Sequence, residues 1–220
     1  MRFSQQLRQA ADSSWEASFR HPFVTGIADG TLPLASFRYY VLNDSYYLSV
    51  FAQVQGLGAA KAHDLFTSGR MAAHIQGTYN TELAMHEKFA RLLDIGPEEK
   101  AAFEPSPTAY AYTSHLLRAG YTGHLGDIVA AMLPCYWLYL EIGDRLHGAV
   151  PDEPIYREWI GTYGSERFRE VVQEQIDRLD AIAERVTEAE RERMKRHFLI
   201  SSRYEYAFWE MAYRVEKWAF

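Results

Sequence analysis

LASFRYYVLNDSYYLSVFAQVQGLGAAK, residues 34–61, decides the fold class. Phe37, Tyr40, Val41, Asp44, Tyr47, Leu48 and Phe51 follow one another at steps of three and four residues. That spacing places them on one face of a helix, whereas a half-buried strand would alternate every second residue. No proline breaks the run. A helix this long with one apolar face needs other helices to cover it.

The same period continues on both sides. Phe3, Leu7, Ala11, Trp15 and Phe19 recur every fourth residue, with Ser4 as the expected cap and His21-Pro22 as the stop. Downstream, a helix is expected from after Asp64 to Ile95, stopped by Gly96-Pro97. Ser106 and Pro107 open another that reaches about Gly120. One from near His124 to Leu146 carries Pro134 in its middle, and a short one holds Ile155, Trp159 and Tyr163. Ser165 caps a helix reaching about Val186, and the capping-box pattern Thr187-Glu188-Ala189-Glu190 opens the last. The expectation is eight or so helices in one all-α, bundle-like domain spanning residues 1–220.

With 220 residues, 48% of them hydrophobic, the chain can bury a full core without disulfides or metals. An aromatic share of 15% implies a large packed core, a ring-lined pocket, or both. The net charge of −6 and the lack of a long Lys/Arg cluster argue against nucleic acid as a partner. The polar N-terminus lacks the apolar stretch of a secretion signal, and no uninterrupted apolar run is long enough to cross a bilayer. A single cysteine forms no intrachain disulfide, which fits a reducing, cytoplasmic setting.

Three residues carry chemistry where an apolar stripe calls for hydrocarbon. Cys135 stands in AAMLPCYWLYLEIG (130–143), directly after Pro134, with Tyr139 one turn on. Proline inside a helix removes a backbone hydrogen bond and kinks the chain, opening space beside the thiol. Cys135 is therefore either a small buried hydrophobe or a nucleophile. Glu205 stands in ISSRYEYAFWEMAY (200–213), near Phe208 and Trp209. Buried, its carboxyl would be pushed toward a neutral, proton-donating form; at the stripe's edge it would simply reach water. Asp44 needs donors if it is dry. A ligand with an amino group beside a ring nitrogen would supply them, and so would a neighbouring helix end or a tyrosine hydroxyl.

Weaker candidates surround these. Glu82 and His86 lie one turn apart and could ligate a metal, but no second carboxylate–histidine pair matches them. His21 could ligate haem, although a histidine before proline at a helix end is more often structural. Tyr110, Tyr112, Tyr139 and Tyr163 could line a pocket or merely pack. The glycines form no phosphate-cradling loop.

On HPFVTGIADGTLPLASFRYYVLNDSYYL, SPTAYAYTSHL, LPCYWLYLEIG, PIYREWIGTYGSERF and ISSRYEYAFWEMAY, the sequence resembles the TenA/thiaminase II family of aminopyrimidine hydrolases along essentially its whole length. The resemblance implies a haem-oxygenase-like helical fold without haem, a homotetramer, and no metal or organic cofactor. It implies hydrolysis of 4-amino-5-aminomethyl-2-methylpyrimidine to the 5-hydroxymethyl compound and ammonia, feeding thiamine synthesis, and cleavage of thiamine into pyrimidine and thiazole. By the same resemblance Cys135 is the nucleophile, Glu205 the proton donor, Asp44 the pyrimidine-binding carboxylate, and Tyr47 the residue that raises the thiol's reactivity. Tyr139 and Tyr163 would contact the substrate, and Tyr112 would line its pocket. One branch of that family lacks the cysteine; this chain has it. Two other readings stand beside it: a non-enzymatic helical protein holding a small heterocycle, and a haem- or quinone-handling relative of the fold.

Overall fold

A computed structural model describes the side chains of residues 1–80 and 84–220. It contains eleven helices and, among the described residues, no strand. Three short helices account for the difference from eight. The first expected helix is two, α1 (Phe3–Ala10) and α2 (Asp12–Phe19), parted at Ala11. The apolar stripe runs across that break, so spacing alone hides it. α3 (Pro22–Asp29) and α6 (Pro97–Ala102) each begin on the proline that was read as a stop. Proline suits a first turn, whose N–H has no helical partner in any case.

Ser4 does not cap α1; the N-cap is Arg2. Ser4 is buried, and its backbone N–H and hydroxyl donate to the two oxygens of Asp180, each at 2.7 Å. It docks the N-terminus onto α10 (Glu166–Ala183).

The longer helices form the core. α4 (Leu34–Ala60) packs against α5 (Leu65–Leu92) and α7 (Pro107–Thr122), while α8 (Leu125–Arg145) packs against α10 and α11 (Glu188–Arg214). α9 (Pro154–Tyr163) closes on α8. Ser106, Ser165, Thr187 and Asp64 cap their helices through side-chain oxygens, near the positions expected from sequence. Trp15, Trp159 and Trp209 are fully buried. Burying a large apolar side chain contributes roughly 1.5–3 kcal/mol before entropy is counted. α8 is, among the described residues, the one helix long and apolar enough to cross a membrane, and it lies mostly buried inside the bundle.

One glycine sets the spacing beside the site. A Cβ on Gly143 would stand 2.5 Å from the Gly164 nitrogen and the Tyr163 carbonyl carbon. The end of α9 therefore touches α8 backbone to backbone, which brings the Tyr163 ring to 4.7 Å from that of Tyr139.

Candidate active site

The stripe that defined α4 also builds the site. Tyr40, Asp44, Tyr47 and Phe51 point the same way because they are helical neighbours, and all four are buried. α8 supplies Cys135 and Tyr139, α7 supplies Tyr112, α9 supplies Trp159 and Tyr163, and α11 supplies Glu205, Phe208 and Trp209.

Glu205 is 2% exposed. The Tyr112 hydroxyl donates to its Oε1 at 2.6 Å. Burial pushes the Glu205 carboxyl up to about 8; the Tyr112 hydrogen bond pulls the other way, and the negative charge of Asp44 adds a further upward push. At neutral pH this group is a carboxylic acid with a proton to give.

The Tyr47 ring lies 5.0 Å from Tyr112 and 5.8 Å from Phe208. Burial, then the neighbouring Cys135, Tyr112 and Glu205, hold the Tyr47 hydroxyl protonated well above the usual tyrosine range. Tyr112 is held up likewise by burial, then by Glu205 and Cys135. The thiol and the carboxyl thus share one cluster of neutral phenols. Cys135 is only partly buried, unlike the residues on either side of it, Pro134 and Tyr136.

Tyr139 links this cluster to Asp44. Its hydroxyl lies 3.3 Å from that of Tyr40, which also accepts from the Trp159 indole N–H at 3.3 Å. Burial, then Tyr40, Asp44, Glu205 and Tyr163, raise the Tyr139 hydroxyl far above its usual range. Its ring packs 5.0 Å from Trp209.

All seven residues singled out from the sequence, Asp44, Tyr47, Tyr112, Cys135, Tyr139, Tyr163 and Glu205, belong to this one cluster. Tyr110 does not: it is 53% exposed and packs on Trp218. His21 is a structural cap, its Nδ1 accepting from the Phe23 N–H at 3.1 Å and its Nε2 3.0 Å from Glu210. Glu82 lies outside the described residues. His86, its expected metal-binding partner, has Nε2 3.0 Å from Asp44 Oδ2. No group of three or more metal-ligating side chains occurs among the described residues. The sequence singles out His86 only as a metal ligand, and Phe208 and Trp209 only as neighbours of Glu205. The last two share the Glu205 stripe and were within reach; His86 meets Asp44 only through the packing of α5 on α4.

Fold and site define a class: an all-helical protein in which a partly buried thiol and a protonated carboxyl share one buried cluster of aromatic rings. The chain belongs to the TENA/THI-4/PQQC family, whose model matches residues 8–215. It is 58% identical over 219 residues to the aminopyrimidine aminohydrolase of Bacillus subtilis (strain 168), an alignment covering 100% of this chain and 93% of that protein. Its structure superposes with a TM-score of 0.90 on the TenA homologue from P. horikoshii, at 29% identity, over 97% of this chain and 99% of that one. A domain of unknown function with a heme oxygenase-like fold from Shewanella denitrificans shares the fold, with a TM-score of 0.74 at 15% identity over 96% and 92% of the two chains.

Proposed function

We propose that residues 1–220 act as one catalytic domain, an aminopyrimidine aminohydrolase of thiamine salvage. It hydrolyses 4-amino-5-aminomethyl-2-methylpyrimidine to the 5-hydroxymethyl compound and ammonia, and also splits thiamine into pyrimidine and thiazole. The observation that carries this reading is the buried, protonated Glu205, hydrogen-bonded to Tyr112 and sharing its phenol cluster with Cys135. The likeness to the Bacillus subtilis aminohydrolase supports it.

An aminopyrimidine ring is electron-poor. The Cys135 thiolate adds to the ring carbon next to the one bearing the aminomethyl group, and the displaced π pair moves onto a ring nitrogen, which takes a proton. The pair then returns to expel the amine from the methylene, and the amine leaves as ammonia with a proton. Water adds at the methylene and gives up one proton. The ring nitrogen gives back its proton, the carbon–sulfur bond breaks, the thiolate is regenerated and aromaticity returns. Glu205 supplies the proton that draws electrons through the ring. Tyr47, whose hydroxyl lies within electrostatic reach of Cys135, raises the thiol's reactivity. Asp44 accepts from the ring's amino group, and Tyr112, Tyr139 and Tyr163 wall the ring and limit side reactions.

The same reading includes a homotetramer, supported by exposed Leu65, Phe66, Tyr79 and Leu92 along α5. Sedimentation equilibrium tests it, a monomer being the contrary result. A thiol nucleophile also suits a reducing cytoplasm.

The functional test is ammonia release by the purified protein from the aminomethylpyrimidine, beside Cys135→Ser. Turnover by the native protein and a loss of more than about tenfold in the variant are expected, a serine hydroxyl being a far weaker nucleophile. Tight binding of the pyrimidine without turnover by either protein overturns the hydrolase reading in favour of a binding protein.

A further inference from the structure

We infer that His86 is the positioning residue for Asp44, and that it decides which carboxylate oxygen is offered to the pyrimidine's amino group. The inference rests on the reading of Asp44 as the ring clamp. His86 lies on the inner face of α5 with Met85, Phe89 and Ala90, and it is buried. Its ring spans two residues of α4: Nε2 is 3.0 Å from Asp44 Oδ2, and Nδ1 is 2.8 Å from Ser45 Oγ. Ser45 is in turn 2.8 Å from the Val41 carbonyl, one turn back on the same helix. The imidazole is thus held at both ends by a rigid element that also carries the carboxylate.

An ionised carboxylate only accepts, so Nε2 is the N–H end of its bond to Asp44. That bond commits Oδ2. Oδ1 has no protein donor among the described residues and is left for a ligand. A carboxylate turns readily about its last torsion. Without His86, two equivalent oxygens in a nearly dry site would exchange places, and ordering one of them would oppose binding. With His86, the plane of the carboxylate is fixed before the pyrimidine arrives. The imidazole also supplies the donor that a buried carboxylate needs while the site is empty. The contacts of His86 with Asp44 and Ser45 place its effect on ring binding.

The experiment is a double-mutant cycle read by calorimetric binding of the hydroxymethylpyrimidine product and by steady-state kinetics, with thermal midpoints confirming folding. His86→Leu is expected to raise Kd and KM by about tenfold or more, one lost hydrogen bond to a charged group, with a smaller effect on kcat. His86→Gln keeps an N–H near the Nε2 position and is expected to recover binding to within about threefold of native. In an Asp44→Asn background, His86→Leu is expected to add no more than about twofold, because its partner is already gone. Full additivity of the two losses, or native Kd in His86→Leu, overturns the inference while leaving the clamp intact. A native Kd in Asp44→Asn alone removes the clamp reading and the inference with it. Should His86→Leu fail to fold, Ser45→Ala is read in its place: a smaller loss of binding that vanishes in Asp44→Asn is expected, and a loss that persists there is the contrary result.

Discussion

The proton on Glu205 is the residue-scale feature with the most consequence. Three influences meet on this carboxyl: burial pushes it up, the Tyr112 hydrogen bond stabilises its charged form, and the charge of Asp44 destabilises it. Their balance near pH 8 makes Glu205 an acid at neutral pH. If it donates the catalytic proton, kcat/KM falls as pH rises through about 8, where the acid form is lost. Two substitutions then move that basic limb in opposite directions. Asp44→Asn removes a negative neighbour and shifts the limb to lower pH, whereas Tyr112→Phe removes the hydrogen bond to the ionised form and shifts it to higher pH. Profiles for the two variants that move together, or not at all, rule out Glu205 as the group behind the limb. The misfit of Glu205, Asp44 and Cys135 in their apolar stripes was legible in the sequence, because a helix face is a local property. His86 was not, because its meaning comes from a residue 42 positions away on another helix.

At the scale of elements, the sequence was readable wherever a polar cap and an apolar stripe agreed. Asp64, Ser106, Ser165 and Thr187 mark their helices because a side-chain oxygen takes an orphan N–H there. The α1/α2 break was hidden because Leu7, Ala11 and Trp15 keep the same stripe through it. The close seam between α8 and the end of α9 was hidden too, since nothing in the spacing of Gly143 shows what it meets. That seam carries a prediction. Gly143→Ala places a methyl against the Tyr163 and Gly164 backbone, which cannot rotate away as a side chain would. Overpacking of this kind costs roughly 1–3 kcal/mol. It also pushes Tyr163 off Tyr139. Urea unfolding is expected to show the stability loss, and kinetics a raised KM. Native KM in a destabilised variant separates the seam from the site.

For the whole molecule, buried ionisable groups set opposing limits on stability with pH. His21, His74, His115 and His197 all have their protonation held below the usual histidine range, with burial the largest cause in each. His115, at about 4, faces His197 with ring centroids 5.3 Å apart, so charging one opposes charging the other. Unfolded histidines take up protons near pH 6.5, before the folded ones do. Between about 6.5 and 4 the unfolded state therefore binds more protons, and stability falls as pH falls. Glu205 acts in the opposite sense. Its folded value of about 8 lies above its ordinary 4.5, so the folded state binds the extra proton between them and stability falls as pH rises through that interval. From 4.5 to 6.5 the buried histidines and Glu205 oppose one another; from 6.5 to 8 the glutamate acts alone among these groups. Glu174, already ionised with a value of about 2, changes nothing in this range. Stability is thus expected to fall by about 1.4 kcal/mol per pH unit from about pH 6.5 to about pH 8. Urea unfolding at unit steps from pH 4.5 to 8.5 gives the curve. Glu205→Gln should flatten the alkaline side and steepen the fall toward acid between 6.5 and 4.5, because the group that opposes the histidines there is gone. His115→Gln should leave the alkaline side unchanged and shift the balance on the acid side toward greater stability at lower pH, because one of the groups opposing Glu205 there is gone. A Glu205→Gln curve that keeps the alkaline slope would mean that another buried group is ionising there, and would remove the energetic basis for a protonated Glu205 at neutral pH.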